Sequence, residues 1–260
     1  MYGWRARISM ILAHSNTVME PEFSRLAPEG VSVHTSRVRI GGISVEGNLI
    51  ADQAMKSAVN LLSDINAKVF VWACTAANIA AGVDGDLVQA RMISDMTGVP
   101  TVATSAALIE ALTALEARRI VVATPYSADL NESSAAFWKA SGFEVIRISG
   151  VDLGGARKSV EPLSSKPISH AGIQFPHVAY NLARSAYDAG ADAVVVSGAG
   201  LRTIEVASAF ERDFGIPFVS SSLATIWASL QAAGVRESIT GFGRLMEQQP
   251  PLRWVRIPRP

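Results

Sequence analysis

An α/β architecture, two similar doubly wound parallel-sheet halves related by a pseudo-two-fold axis with a cleft between them, follows from three features of this 260-residue chain. Short apolar runs alternate with helical patterns along its whole length, the arrangement that builds parallel strands joined by crossover helices. Segments also recur in the same order. Gly98-Val99-Pro100-Thr101-Val102-Ala103-Thr104-Ser105 is echoed by Gly215-Ile216-Pro217-Phe218-Val219-Ser220-Ser221-Ser222, and Ala67 through Cys74 by Ala191 through Gly198. Arg7-Ile8 through Asn16 lines up in the same way with Arg119-Ile120 through Ala128. Finally, both Gly-Xaa-Pro echoes are breaks of the kind that separate a helix from a following strand. Spacing between the matched pairs varies, so the halves differ in their loops.

Taken in order, the first strand is the apolar run over 8–13, and a second is expected over 32–39. The Val- and Phe-rich run over 69–73 reads as a buried strand, and a strand over 101–104 follows the Gly98-Val99-Pro100 break. Helices fill 48–66, 85–97 and 106–117, the last being the Ala- and Leu-rich segment behind the first echo. The second set has strands over 119–124, 144–148, 193–197 and 218–221, with helices over 129–141, 176–189, 201–214 and 222–234. One half thus spans 1–117 and the other 118–222. Whether the segment from about 223 to 260 packs back onto the first half is open at this level. The stretch over 152–174 has little periodicity, and its Gly, Ser and Pro content reads as a mobile cover over the cleft.

Composition narrows the partners. Lys plus Arg equals Asp plus Glu at 23 each, so no global field draws the chain to nucleic acid or an anionic membrane. No apolar run approaches the ~20 residues that span a bilayer, and the run over 8–13 is too short for a signal-peptide core. One cysteine excludes an internal disulfide and suits a reducing compartment, so a cytoplasmic protein is expected. His14, His34, His170 and His177 lack metal-ligand spacing. The turns Gly41-Gly42 and Gly198-Ala199-Gly200 carry neither a Walker lysine nor a full dinucleotide fingerprint. No cofactor is expected. A homo-oligomer is compatible with the composition, without an interface signal.

The single cysteine, Cys74, falls at the C-terminal tip of the expected strand over 69–73, and the small residues Thr75 to Ala81 begin a helix. Open α/β sheets place ligands at such tips, and free helix N-terminal amides favour an anion. A thiol there is expected to ionise more readily than in bulk water. The repeat sets Gly198 opposite Cys74, and Tyr126 opposite the tip at His14 to Asn16, so only one face of the cleft carries sulfur. Plainer roles stand beside these. A lone cysteine is commonly a small buried hydrophobe, Asn16 suits a turn or helix cap, and the clusters Thr104-Ser105 and Ser220-Ser221-Ser222 suit N-caps. Arg202 is expected to pair with a local carboxylate, and Trp138 and Trp227 to anchor packing.

Several of these pieces together resemble the aspartate/glutamate racemase superfamily, in particular its maleate isomerase and arylmalonate decarboxylase branch. They are Ser15-Asn16-Thr17-Val18-Met19-Glu20-Pro21-Glu22-Phe23, the strand-Cys74-Thr75 turn, Gly98-Val99-Pro100 with its hydroxyl-rich tip, Ala123-Thr124-Pro125-Tyr126, and Leu201-Arg202-Thr203 with Glu205. The likeness runs from about 7 to 234. It implies cofactor-free chemistry beside a carboxylate, with Cys74 as the first of the family's two cysteines and Asn16 and Tyr126 at substrate-contacting positions. The departure is Gly198-Ala199-Gly200, which replaces the second cysteine turn.

One thiol serves some of that chemistry better than the rest. A racemase of amino acids or hydantoins needs an acid and a base on opposite faces, and Gly198 supplies neither. Cis–trans isomerisation of a maleate-type dicarboxylate needs only a Cys74 thiolate that adds and is later expelled. Donors for its carboxylates are the backbone N–H groups after Cys74 and the hydroxyls of Thr75, Thr104, Ser105, Ser221 and Ser222, with Ala76 and, at the opposite tip, Gly198 and Ala199 as further substrate-binding positions. Decarboxylation of an arylmalonate-type acid is the alternative, with Cys74 as proton donor. There the resemblance implies a thiol on the opposite half from the usual one, and hence a product of opposite hand. A non-catalytic carboxylate binder is the reading from another class.

Overall fold

The computed structural model describes residues 1–39, 45–151, 153 and 170–258, without the side chains of 45–52, 86 and 170. The Gly41-Gly42 turn and the expected cover, apart from 153 and 170–174, lie outside the described residues.

In chain order the elements are β1 (Ala6–Ala13), α1 (Met19–Leu26), β2 (Val31–Val38), α2 (Val45–Ser63), β3 (Val69–Ala73), α3 (Thr75–Ala80), α4 (Gly85–Thr97), β4 (Thr101–Ala103) and α5 (Thr104–Ala114). There follow β5 (Arg119–Thr124), α6 (Ala128–Ala140), β6 (Glu144–Gly150), a 3₁₀ turn (His170–Ile173), α7 (Pro176–Ala186), β7 (Ala193–Val196), α8 (Ala207–Phe214), β8 (Phe218–Ser220), α9 (Ser221–Ala232) and α10 (Arg244–Gln248).

Two four-stranded sheets result, ordered β2-β1-β3-β4 and β6-β5-β7-β8, and every pairing is parallel. The sequence echo reappears as register. Ile8 pairs with Val69 as Ile120 pairs with Ala193, and Phe70 pairs with Thr101 as Val194 pairs with Phe218. Even the flanking bonds repeat: Phe70 N–H donates to Pro100 C=O and Val194 N–H to Pro217 C=O, both at 3.0 Å. The central strands β3 and β7 are buried throughout, which is why they read as unbroken apolar runs. The edge strands β2 and β6 are only partly covered.

Helices α5 and α9 tie the two sheets together. Nearly every residue of both is buried, polar ones included, as expected of helices inside the molecule rather than on its surface. They pack on each other; α9 also reaches β3 and β4 of the first sheet, and α5 reaches β8 of the second. The chain then continues through α10. Trp227 Nε1 donates to Pro250 C=O at 3.2 Å, and Arg256 N–H donates to the fully buried Glu110 of α5 at 2.6 Å.

Boundaries differ from expectation where tertiary bonds override local pattern. The helix expected over 201–214 begins only at Ala207, because the amides of Thr203 and Ile204 are taken by Glu22 of α1 instead of a helical ladder. Helices α1 and α10, of eight and five residues, escaped the periodicity reading because they are short. Among the described residues no helix is long and apolar enough to cross a membrane.

The two junction glycines, Gly98 and Gly215, end α4 and α8 at φ of 69° and 76°. An added Cβ would meet nothing within 4 Å at either, so only the left-handed backbone opposes a side chain. Gly98→Ala and Gly215→Ala should each lower stability by about 1–2 kcal/mol, and the two should add in the double variant. Urea denaturation of the three variants checks this.

Candidate active site

β3 delivers Cys74. The chain leaves the strand at Ala73, Cys74 takes φ −147° and ψ 84°, and α3 begins at Thr75. Part of the residue's surface reaches solvent, but protein surrounds its sulfur closely enough to desolvate it. Burial pushes the thiol up to about 11, and a bond from the Ala77 amide offsets only part of that. This corrects the expectation of an easily ionised thiol. The partial charge of a six-residue helix and one amide do not match the cost of removing a thiolate from water.

Tyr126 stands at the opposing tip, just past β5, and is 5% exposed. Its hydroxyl is 3.5 Å from Ser197 Oγ, and it lies close enough to Cys74 to feel a charge on sulfur. Burial, first, and that neighbour move the phenol well above its usual range, so it is a neutral O–H donor.

Side chains from both halves knit the remaining tips together. Asn16 Oδ1 accepts the amides of Val18 and Met19 at 2.9 and 3.0 Å, opening α1 as an Asx turn does, while its Nδ2 donates to Ala199 C=O across the interface at 2.9 Å. Both roles weighed for Asn16, cap and tip residue, are thus compatible. Thr75 Oγ1 donates to Ser221 Oγ at 3.1 Å, and Ser221 Oγ also accepts the Gly198 amide at 2.9 Å. The residue after the thiol and the residue at the facing tip therefore share one hydroxyl at the start of α9. Other expected residues look elsewhere. Thr104 Oγ1 donates back to Trp72 C=O at 3.4 Å, and Ser222 is turned toward Glu22. Ser105 is fully buried, Ala76 partly so. The side chain that caps α9 is Ser220, which accepts the Leu223 amide.

Gly198 has a steric reason to lack a side chain. A Cβ there would sit 2.7 and 2.8 Å from Cδ and Cγ of Pro125, closer than carbon atoms approach. A second thiol at this tip needs the Pro125-Tyr126 turn to move.

Three polar residues near these tips were not singled out as site candidates from the sequence. Ser197, the partner of Tyr126, sits in the repeat at the place of Ala73. Asn78, one helical turn past Cys74, is fully buried with neither amide atom hydrogen-bonded. Glu22 follows Met19 by three residues and precedes Leu26 by four, so it occupies a core-facing helical position with Met19, Phe23 and Leu26, all buried. A carboxylate on an apolar stripe was the available signal. Among the described residues no group of three or more His, Cys, Asp or Glu is placed to hold a metal ion.

Paired parallel sheets whose strand tips meet around one thiol define a two-lobed α/β protein of the aspartate/glutamate racemase type. More narrowly, the chain belongs to the arylmalonate decarboxylase family, whose model matches residues 8–246. It is 27% identical over 252 residues to a maleate isomerase of Nocardia farcinica, covering 93% of this chain and 96% of that one. It is 25% identical over 249 residues to an arylmalonate decarboxylase of Bordetella bronchiseptica, with 93% and 96% covered. In three dimensions it matches a cysteine-to-serine variant of the Nocardia farcinica maleate cis-trans isomerase holding a covalently bound succinylcysteine intermediate. That match has a TM-score of 0.80 at 23% identity, over 94% of this chain and 98% of the other.

Two outcomes follow from this geometry. Iodoacetamide labelling of Cys74 should accelerate about tenfold per pH unit from 7 to 9 without a plateau, since a thiol near 11 stays mostly protonated there; mass spectrometry of timed samples measures it. Gly198→Ala should lose about 1–3 kcal/mol by overpacking against Pro125, and Pro125→Ala should restore part of that loss in thermal melts.

Proposed function

We propose that the protein is a cofactor-independent isomerase that converts a maleate-type cis dicarboxylate to its trans isomer through an adduct on Cys74. The carrying observation is the single thiol set against glycine, with a neutral phenol beside it. This supplies one nucleophile and one hydrogen-bond donor, but no second base. The likeness to maleate isomerases supports the same reading. One reduced cysteine also fits a cytoplasmic enzyme.

In this reading the Cys74 sulfur bonds to one alkene carbon. The π pair passes through the neighbouring carbon into its carboxylate, giving an enediolate. The former double bond rotates as a single bond, the pair returns, the carbon–sulfur bond breaks, and the thiolate leaves the trans diacid. Forming that thiolate at neutral pH costs roughly 5 kcal/mol for a thiol near 11. The donors must recover it on the enediolate: the Tyr126 hydroxyl, the Thr75 and Ala76 amides, and the Ser221 hydroxyl, with Asn16, Gly198 and Ala199 shaping the facing wall. One such preorganised donor is typically worth about 3–4 kcal/mol in the transition state.

One observation favours a second reading. Burial holds Cys74 as thiol, the form that donates a proton. In decarboxylation of an arylmalonate the carbon–carbon bond breaks, carbon dioxide leaves, the electron pair stays on an enediolate, and the Cys74 proton is delivered to carbon. The thiolate is then reprotonated from solvent.

Incubation with maleate should yield fumarate by proton NMR, and peptide mass spectrometry should find a diacid adduct on Cys74. Cys74→Ala should reduce the rate at least a thousandfold. Carbon dioxide release from phenylmalonate without fumarate formation selects the second reading. Unchanged turnover in Cys74→Ala refutes both.

A further inference from the structure

Glu22 is a buried ionisable group that the proposed chemistry leaves unused, and it lies directly behind the α9 N-terminus. It projects from α1, which packs on α9, and is 5% exposed. Oε1 accepts the amides of Thr203 at 2.8 Å and Ile204 at 3.3 Å, so one carboxyl oxygen pins the second half's 203–204 turn to the first half's helix. Oε2 is buried and makes no hydrogen bond of good geometry, and neither does the buried Ser222 hydroxyl, although the two face each other closely enough for the hydroxyl to pull the carboxyl's pKa down. The same turn feeds the cluster at the thiol. Thr203 Oγ1 is 2.8 Å from Ser220 Oγ, Ser220 caps α9, and Ser221 carries the bonds to Thr75 and Gly198.

The charges around Glu22 are committed to other partners. On its own helix Arg25 reaches Glu205 at 3.4 Å, and Glu20 pairs with Arg37 of β2. From the turn, Arg202 bonds Glu205 at 2.7 Å, and Glu205 adds repulsion toward Glu22. β2 also presents His34, bonded to Ser32 at 2.9 Å, and α9 has no charged residue. No cation is placed on the Glu22 carboxyl among the described residues. Burial lifts it to about 7, against the opposing pull of Ser222 and the two amides.

A dianionic ligand at the α9 N-terminus would face a second negative charge one residue behind it whenever Glu22 is ionised. We infer that Glu22 is a proton-linked positioning residue: it takes up a proton when a small dicarboxylate binds, and in that form it donates from Oε2 to Ser222 while Oε1 keeps the Thr203 turn in place. The inference rests on the dicarboxylate reading above. The proton comes from solvent, and no other bond changes. Affinity for the diacid is then highest below about pH 7, where Glu22 is already neutral. It falls by up to tenfold per pH unit above that.

The test is titration calorimetry with maleate in a Cys74→Ser background, to stop turnover, in buffers of differing ionisation enthalpy between pH 7 and 9. With Glu22 present, the heats should show proton uptake, and affinity should fall with pH. Adding Glu22→Gln, which mimics the neutral acid, should remove the uptake and flatten the profile. Equal uptake in both proteins, or a folded Glu22→Gln variant that no longer binds, overturns the inference. Difference infrared spectroscopy of the Glu22 protein reports even if the glutamine variant misfolds: maleate added at pH 8 should raise a protonated-carboxyl band, and no band refutes the idea. Absence of any maleate heat at pH 7 with Glu22 intact sinks the dicarboxylate reading itself, a separate outcome.

Discussion

Contact between α5 and α9 is the constraint from which the rest of the molecule follows. Both helices are buried almost residue by residue, are rich in Ala, Ser and Thr, and pack on each other. Each follows the last strand of its own sheet and also packs on the other sheet. Their N-termini therefore lie among the strand tips, and Ser221 at the start of α9 can accept from Thr75 of one lobe and Gly198 of the other. The thiol, its facing glycine and the shared hydroxyl are held in register by that packing, not by loops.

Desolvation governs the electrostatics of this region. Cys74, Tyr126 and Glu22 are each shifted toward the neutral form, and burial is the first cause in all three. The tips are joined by amides and hydroxyls. Neutral groups of this kind interact through hydrogen-bond geometry, with no fixed charge among Cys74, Tyr126 and Glu22 in their favoured forms. Burial keeps the Cys74 sulfur protonated at rest.

Much of the architecture was legible because the repeat wrote it twice. The Gly98 and Gly215 breaks, and the runs ending at Cys74 and Gly198, marked β3, β4, β7 and β8, whose order and pairing register then came from the structure. The placement of Cys74, Tyr126 and Asn16 at strand tips was readable, because each follows an apolar run that ends where open sheets present side chains. What was not readable depended on packing across the lobes. The ionisation of Cys74 was misjudged because a helix N-terminus shows in sequence and desolvation does not. The turn at 201–206 was taken for helix, because its amides are claimed by Glu22 from a residue some 180 positions away. Ser197 carries no local signal at all, since it matters only through the Tyr126 hydroxyl brought beside it.

The crowding of Pro125 against Gly198 bears on the chemistry of the cleft as well as on stability. The pyrrolidine ring takes the space into which a side chain at residue 198 would point. The two opposed tips are therefore unlike, with sulfur at one and a proline ring at the other.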